Sequence, residues 1–349
     1  MRKRLRWVVV AGIFAVTLVG LGIGGMAIMF RVNTTAFEGV RSVKIPYEAG
    51  FEAVLDSLEA AGVLRSRTSF ARAARLTGWA DQIKAGQYSI PSGQSNYALL
   101  EKLRKGLQDQ VRVRIPAGSH PAAIAASAAS DMAFDAEAFL EALKDSALAA
   151  ELGTDTLHLF SYMLPETYFF YWLTDAPSVI RRIKRAADAK IEQHVGVEAL
   201  DAETVLSVAA IVEWETGMEQ EKDTIAGIYL NRLNRGWPLQ ADPTVQFGLL
   251  EREGRKRRLL TRDYELDHPY NTYQFPGLPP GPVTNPSASS LEAVARAHQM
   301  QHDYMYLVAK PGGGHAFNAS LSGHLRDADR FHRYSRRLRQ KRAREAASQ

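Results

Sequence analysis

The chain has 349 residues, of which 46% are hydrophobic and 23% charged, so we expect about two folded soluble modules and a membrane segment. The net charge of +5 comes from Lys and Arg at the two termini and in one loop, without a basic stripe that has interleaved aromatic residues, which argues against nucleic acid as a partner. The lack of cysteine excludes disulfides, a thiolate nucleophile and Cys-ligated zinc or iron-sulfur clusters.

The first predicted element is an apolar helix near the N-terminus. Residues Trp7 to Phe30 carry no charge and are long enough to cross a hydrocarbon core of about 30 Å. A secretory signal has a shorter apolar region, so retention of the helix is favoured over cleavage. The preceding tip, residues 1–6, contains four basic residues, which the positive-inside rule places in the cytoplasm. The pattern predicts a single-pass protein of the inner (plasma) membrane, with its N-terminus cytoplasmic and everything after Phe30 periplasmic.

Residues 41–108 have the pattern of a small β-α-α-β module with one further packing helix. Alternating residues predict the strands, and apolar residues at helical spacing predict the helices. The expected elements, in order, are strand Arg41 to Tyr47, helices Phe51 to Ala61 and Ser69 to Leu76, strand Ile83 to Ile90, and helix Tyr97 to Leu107.

Residues 109–331 are expected to form a mixed α/β catalytic domain, followed by a basic C-terminal tail at residues 332–349. The fold class of the whole chain is therefore α+β. The expected elements are strand Val111 to Ile115, Ala-rich helices from His120 to Leu152, helices Ala176 to Val195, Ala202 to Thr216, Lys222 to Asn234 and Ser289 to Gln301, and strands Tyr304 to Val308 and His315 to Asn318.

The predicted helix Ala202 to Thr216 is apolar nearly all round, which is typical of a helix buried on several sides. It ends with Glu213 and Glu215, one on each side of Trp214. A helix C-terminus and apolar neighbours both favour the protonated form of a carboxyl group. The sequence therefore predicts a general acid at this helix end.

Helical geometry separates the two acids, because residues two apart differ by about 200° around the helix axis. Glu213 and Glu215 are thus unlike the facing carboxylates, about 5–5.5 Å apart, of a retaining glycosidase. We expect one to enter a cleft and the other to anchor the structure. From the residues alone, either acid can be the catalytic one, and a surface location for both is the alternative.

The segments that follow combine aromatic rings, amides and hydroxyls, which suits a groove for sugars. Rigid connections built by Gly and Pro are the alternative explanation for each turn. The candidate substrate-binding residues are Gln240, Asp242 and Thr244 in an Asp-Pro turn, Tyr270, Asn271 and Tyr273, and in addition Glu166 and Asn318.

No metal and no cofactor are predicted. His298 and His302 stand four apart on the predicted helix Ser289 to Gln301, but the Glu of a His-Glu-x-x-His site is missing between them. The basic run from Arg252 to Arg258 is interpreted as a solvated loop, with contact to an anionic envelope polymer or lipid headgroups as the alternative.

Five segments, in this order and spacing, resemble the endolytic murein transglycosylases, also called the YceG-like family, over nearly all of the chain outside the tail. Three positions depart from the family pattern, at Ser161, Trp214 and Gln299. The segments that carry the resemblance are Ala210 to Thr216, Asn231 to Leu233 with Leu239 to Val245, Tyr270 to Tyr273, Gly277 to Pro282, and Gly314 to Asn318.

The resemblance implies a membrane anchor, a LysM-like module in residues 41–108, and cleavage of the β-1,4 bond between N-acetylmuramic acid and N-acetylglucosamine in nascent peptidoglycan strands. It implies 1,6-anhydro ends, an end to strand elongation, and peptidoglycan synthases as candidate partners. The catalytic residue by resemblance is Glu215, with Glu213 as the alternative. Two rival functions are a muramidase-type hydrolase, in which Glu213, Glu166 or Asp242 activates water, and a non-catalytic glycan-binding scaffold for cell-wall synthesis.

Overall fold

The computed structural model describes residues 2–195, 200–300 and 302–347, and the chain divides into two units. Unit 1 runs to Arg112 and includes Asp131–Ala133 and Phe169–Thr174. Unit 2 consists of Val113–Ser130, Phe134–Tyr168 and the chain from Asp175 onwards. Met1, Gln301 and residues 348–349, which belong to elements predicted above, lie outside the described residues.

Helix α1 (Arg2–Phe30) is the first element of unit 1. Its segment Val10–Phe30 has 21 residues and a mean hydropathy of 2.2, so it can cross a membrane by length and composition. Side chains such as Phe14 and Leu21 are exposed rather than packed in a protein core. Helix α1 is therefore compatible with a single-pass membrane anchor.

The rest of unit 1 has the predicted strand-helix-helix-strand order. Strands β1 and β2 are antiparallel, and Val43 pairs with Tyr88 so that both side chains enter the same buried core. The alternation of buried and exposed residues in β2 is that of a strand with one covered face. The elements are β1 (Val40–Ile45), α2 (Phe51–Ala60), α3 (Arg67–Thr77), β2 (Gly86–Pro91) and α4 (Asn96–Lys105).

Buried amides attach the end of α1 to this unit. The Asn33 side chain donates a 2.7 Å hydrogen bond to Asn96 Oδ1, and Asn96 Nδ2 donates to the Ile28 carbonyl and to Ser69 Oγ. Buried polar groups that are fully paired in this way specify one geometry. The exit of α1 is thus held in a defined position on unit 1.

Unit 2 is mainly helical. Strands β5 and β6 form a small antiparallel hairpin in it. The elements that follow α4 are β3 (Gln110–Arg114), α5 (Pro121–Ala129), α6 (Ala136–Lys144), α7 (Ser146–Glu151), β4 (Thr167–Tyr171), α8 (Ala176–Val195), α9 (Ala202–Glu215), α10 (Glu219–Asn234), α11 (Asp242–Glu253), α12 (Ala288–Gln299), β5 (Tyr306–Ala309), β6 (His315–Asn318) and α13 (Leu321–Ala347).

Helix α9 is the centre of unit 2. The Asp201 side chain caps its N-terminus by accepting a 2.8 Å hydrogen bond from the Thr204 N–H. Every residue from Val205 to Val212 is buried, because α10, α11 and α12 pack around the helix. The last turn of α9 carries the two acids and emerges from this core.

Two local predictions were wrong. Asp242-Pro243-Thr244 is the first turn of helix α11 rather than an isolated turn, and Pro suits this position because its missing N–H has no partner to lose there. Helix α12 ends at Gln299, so His298 and His302 do not share a helix. Helix α13 continues without a break across the predicted boundary between residues 331 and 332.

Candidate active site

Glu213 anchors the end of α9 to the start of α12. Its carboxylate accepts hydrogen bonds from the Ser287 N–H at 3.0 Å, from the Ser287 hydroxyl, and from the Ser290 hydroxyl at 2.6 Å. The ammonium group of the buried Lys222 lies 3.7 Å away, and the Glu213 side chain is only 13% exposed. Since Ser287 is also the N-cap of α12, these contacts join two helix ends.

Glu215 has a different environment. Oε2 of this carboxyl group accepts a 3.1 Å hydrogen bond from the hydroxyl of Tyr229, a buried residue of α10. Removal from water and the negative charge of Asp242 raise the pKa of Glu215 to about 7, against the opposing effects of His315, the Tyr229 hydrogen bond and Arg232. A carboxyl group with this pKa can donate a proton near neutral pH and take one back.

Asp242 and two tyrosines form the wall beside Glu215. The Asp242 carboxylate accepts hydrogen bonds from Tyr273 at 2.7 Å and from Tyr264 at 3.4 Å, and the centres of the two rings are 4.6 Å apart. Burial raises the pKa of Tyr264 to about 12, so its hydroxyl stays protonated and can donate. The first turn of α11 is thereby fixed beside the acid.

Glu215 lies where two cavities meet. Cavity A has a volume of about 760 Å³ and cavity B about 520 Å³, and Glu215, Asp242 and Tyr264 line both. Each is large enough for sugar units, since ligand pockets typically have about 300–1,000 Å³. A chain of sugars can therefore pass the acid with units on both sides. The other residues of cavity A are Glu213, Trp214, Pro243, Gln246, Lys256, Arg257, Arg258, Leu259 and Phe331. Those of cavity B are Tyr229, Arg232, Gln240, Tyr273, Tyr306, Leu307, Val308, Ala309, His315, Leu321 and His324.

A buried acid orients His315 in the wall of cavity B. Glu221, which is 5% exposed, accepts hydrogen bonds from the His315 N–H at 2.8 Å and pairs with His315 Nδ1 at 2.9 Å. The hydroxyl of Thr216, which follows the catalytic candidate in sequence, donates to the same carboxylate at 3.3 Å. One carboxylate thus links the end of α9 to strand β6.

Three of the eight predicted substrate-binding residues line a cavity: Gln240, Asp242 and Tyr273. Gln240 has a backbone φ of +48°, which is uncommon for a residue other than glycine and often marks a functional loop. Its side chain is exposed. All three residues line cavity B, which Glu215 also lines.

The other five lie in packing contacts or on other surfaces of unit 2. Thr244 is fully buried and bonds to Thr272 Oγ1 at 2.9 Å. Asn271 Nδ2 donates to the Leu266 carbonyl at 2.8 Å, and Tyr270 stacks on Phe247 with ring centres 4.3 Å apart. These three hold the loops that carry the wall residues. Glu166 forms an ion pair with Lys190, and Asn318 donates to Asp327 at 3.0 Å.

The sequence prediction missed Tyr229, Arg232 and Tyr264 as site residues. Tyr229 lies at an apolar, inward position of the helical pattern from Lys222 to Asn234, and a buried phenol needs a hydrogen-bond partner. The sequence thus contains a signal for this residue but does not identify its partner. Arg232 is buried and donates to the Met305 carbonyl at 2.9 Å and to the Leu239 carbonyl. It joins α10 to the segments that flank cavity B.

One cluster in the described residues has the spacing of a metal site. Ligand atoms of Asp155, His158 and Glu203 lie within 4.8 Å of one another. His158 is already paired with Asp155 at 2.9 Å, the two acids are exposed, and none of the three lines cavity A or B. The cluster is therefore separate from the candidate active site.

Comparison with known proteins finds relatives that have the same name. The chain is 27% identical over 309 residues to the endolytic murein transglycosylase of Bacillus subtilis (strain 168), which covers 83% of this chain and 84% of that protein. It is 27% identical over 310 residues to the endolytic murein transglycosylase of Streptococcus pneumoniae serotype 2 (strain D39), covering 80% of this chain and 56% of that protein.

The fold also has a solved relative. A YceG-like protein from Listeria monocytogenes matches with a TM-score of 0.55 and 24% identity, over 83% of this chain and 99% of that one, a likeness that concerns the fold alone. The model of the YceG-like family matches residues 43–330, which include both α9 acids and every residue of the two cavities except Phe331. This match covers more than half of the sequence, and the chain belongs to the YceG-like family.

Proposed function

We propose that this chain is an endolytic murein transglycosylase, which cuts the β-1,4 bond between N-acetylmuramic acid and N-acetylglucosamine inside a glycan strand and leaves 1,6-anhydro ends. Two relatives that match most of this chain are both named endolytic murein transglycosylase, and this supports the function. The observation that carries the proposal is Glu215, a carboxyl group with a pKa of about 7 at the junction of two cavities, while Glu213 is held by α12.

In the proposed mechanism, Glu215 donates its proton to the glycosidic oxygen as the bond to C1 of the muramyl sugar breaks. The Glu215 carboxylate then removes the proton from the C6 hydroxyl of the same sugar, whose oxygen closes on C1. The leaving sugar keeps the first proton, Glu215 regains the second, and no water is consumed. One acid suffices because the nucleophile belongs to the substrate.

The neighbouring residues have supporting roles in this proposal. Asp242 keeps the Glu215 proton available by its negative charge, and Tyr273 holds Asp242 in place. Gln240 offers an exposed amide to sugar hydroxyls. Thr244, Tyr270 and Asn271 support the loops that carry the wall residues. Glu166 and Asn318 line neither cavity and would contribute to substrate binding outside them.

Hydrolysis is the rival reaction, and Asp242 is the base that fits it best. Of the three acids considered for activating water, Asp242 is the one that lines both cavities. Glu213 lines cavity A only and its Oε2 already accepts three hydrogen bonds, and Glu166 lines neither cavity and is paired with Lys190. Mass spectrometry of the products decides between the reactions. Transglycosylation yields 1,6-anhydro ends, whereas hydrolysis adds one water and yields reducing ends that are heavier by about 18 Da.

Cleavage by the purified full chain in detergent tests the role of Glu215. We expect Glu215→Gln to abolish cleavage of uncrosslinked strands, and Glu203→Gln, an exposed position at the other end of α9, to leave it unchanged. Glu213→Gln should retain the chemistry in proportion to its folded fraction. Strand cleavage by Glu215→Gln would remove this residue from the mechanism. Strand binding without cleavage by the wild-type chain would favour the glycan-binding scaffold.

The same proposal includes the setting of the enzyme in the cell. Helix α1 anchors the chain in the plasma membrane with residues 1–6 in the cytoplasm, and the chain that follows α1 acts in the periplasm. The β-α-α-β part of unit 1 serves as a LysM-like glycan-binding module, and peptidoglycan synthases are the candidate partners whose strands the enzyme ends. Reporter fusions at the two termini test the orientation: a C-terminal reporter that is active only in the cytoplasm should stay inactive.

A further inference from the structure

We infer that cavity A contains a subsite for a carboxylate carried by the muramyl sugar, formed by Lys256 and Arg258. The inference rests on the proposed function, since it names the substituent of that substrate which the enzyme recognises. It assigns a role to the basic run from Arg252 to Arg258, which the mechanism leaves unused.

The first argument is the balance of charge. Three cations line cavity A, and Arg257 is neutralised by Asp263 at 2.6 Å and Glu253 at 2.9 Å. Lys256 and Arg258 have no carboxylate within 4 Å in the described part of the chain. Of the acids that line cavity A, Glu213 lies 3.7 Å from Lys222, and Asp242 accepts hydrogen bonds from two tyrosines. Lys256 and Arg258 are thus cations of this cavity that have no ion-pair partner of their own in the described residues.

The second argument is the position of Lys256. Its ammonium nitrogen lies 3.1 Å from the centre of the Trp214 ring, and the ring is fixed by a 2.9 Å hydrogen bond from Nε1 to the Gly118 carbonyl. A cation over an indole face is held by the ring quadrupole. Because Trp214 directly precedes Glu215, the charge is kept inside the cavity next to the acid. Burial also lowers the pKa of Lys256 to about 8, which a bound anion would oppose.

Cavity B differs in this respect. Its His315 is paired with Glu221, and the described hydrogen bonds of Arg232 go to two backbone carbonyls. Arg232 keeps its charge but is buried, whereas Lys256 and Arg258 are exposed, so the exposed Lys and Arg side chains that line a cavity lie on one side of Glu215 only. A strand with regularly placed anions would bind this groove in one preferred direction.

Murein has the matching asymmetry. The carboxylates of a glycan strand belong to the muramyl sugars, on the lactyl group or on the peptide attached to it, while N-acetylglucosamine carries none. Charge-assisted hydrogen bonds from Lys and Arg to carboxylates are stronger than neutral ones. Binding of this group in cavity A would place a muramyl sugar beside Glu215, where its C6 hydroxyl must lie for the reaction.

The test uses the full chain in detergent and three kinds of strand. The first carries peptides, the second is peptide-free with a free lactyl carboxylate, and in the third all carboxylates are converted to neutral amides. The variant Lys256→Met with Arg258→Gln removes both cations. Arg255→Gln is the matched control, because Arg255 is an exposed cation of the same loop that does not line cavity A.

We expect the double variant to lower kcat/KM on anionic strands about tenfold, mainly through KM, as two partly exposed ion pairs of about 0.7 kcal/mol each would do. On amidated strands the wild-type chain and the double variant should be equal, and Arg255→Gln should match the wild type throughout. The anionic strand that shows the preference, peptide-bearing or peptide-free, identifies the source of the carboxylate.

An equal loss on anionic and amidated strands, or the same loss in Arg255→Gln, would overturn the subsite. Strand binding measured in a Glu215→Gln background separates this inference from the proposed function, because binding does not require cleavage. If the wild-type chain cuts nothing, the proposed function fails, while a tenfold binding preference that depends on Lys256 and Arg258 would still support the subsite. Equal binding to all strands would contradict it.

Discussion

The hydroxyl of Tyr229 lies 3.1 Å from Oε2 of Glu215, and this hydrogen bond joins the candidate acid at the end of α9 to a buried residue of α10. A donor stabilises the ionised carboxyl, so the bond lowers the pKa that burial and Asp242 raise. The phenol itself is buried, and its own pKa lies well above the ordinary value because of desolvation. Glu215 is thus held in one rotamer by a donor that does not itself ionise.

Replacement of Tyr229 by Phe should therefore raise the pKa of Glu215 and loosen its position. We expect kcat/KM to fall about tenfold, which corresponds to about 1.4 kcal/mol, a typical value for one hydrogen bond to a reacting carboxyl group. The alkaline limb of the pH-rate profile should move to higher pH. Tyr168→Phe removes a 3.1 Å bond to a carbonyl away from both cavities and is the control for a general loss of stability. An unchanged alkaline limb would show that Tyr229 does not act on the acid.

Asp242→Asn should have the opposite effect on the pH profile. Loss of the negative charge removes one of the two causes that raise the pKa of Glu215. The acid would then ionise at lower pH, and kcat/KM should fall more at pH 7.5 than at pH 5.5. A hydrolase that uses Asp242 as its base would instead lose activity equally at both values and lose its reducing-end products, which mass spectrometry detects.

Glu213→Gln is expected to destabilise the chain rather than change its chemistry. The substituted amide keeps one oxygen for the donors of Ser287 and Ser290 but carries no charge, so these hydrogen bonds become weaker and the buried Lys222 loses a negative neighbour. We expect a cost of about 2–4 kcal/mol and a thermal midpoint lower by about 5–10 °C in detergent. The exposed Glu203→Gln should change the midpoint by less than about 2 °C. A midpoint equal to that of the wild type would contradict the anchoring role.

The raised pKa of Glu215 also predicts how stability varies with pH. Because the folded-state pKa of about 7 lies above the unfolded value of 4.5, the folded chain binds more protons between these values. Its contribution to stability is fully present below pH 4.5 and is lost as pH rises through 7, by about 3 kcal/mol at about 1.4 kcal/mol per pH unit. The neutral Glu215→Gln chain should not lose this contribution.

Thermal midpoints at pH 5 and pH 8 measure the difference. Relative to the wild type, Glu215→Gln should be more stable at pH 8 than at pH 5, whereas Glu203→Gln should show no such trend. A constant difference between wild type and Glu215→Gln at the two pH values would mean that the carboxyl is ionised over the whole range, and the general-acid role would then need another residue.

Much of the fold was predictable because the sequence encodes it locally. The alternation around Val43 and Tyr88 predicted the two strands of unit 1, and the apolar run from Val205 to Val212 predicted the buried helix α9. The start of α11 was mispredicted, because an Asp-Pro pair suits both a turn and a helix N-terminus. Only the packing of the following residues against α9 distinguishes the two.

The site was predictable in part, and the limit is physical. Helical geometry alone requires that Glu213 and Glu215 face different directions, and an apolar helix end alone favours a protonated acid. Which acid meets Ser287 and which meets Tyr229 depends on how α12 and α10 pack against α9, and local sequence does not encode that packing.

The sequence by itself therefore determined the apolar N-terminal helix, the buried helix α9 and the presence of a carboxyl pair at its end, because these follow from composition and periodicity. Only the tertiary structure decided that Glu213 is an anchor, that Asp242 and Tyr229 adjust the pKa of Glu215 in opposite directions, and that Lys256 lies over Trp214. These relationships join residues that are distant in the chain, and electrostatic effects depend on distance in space.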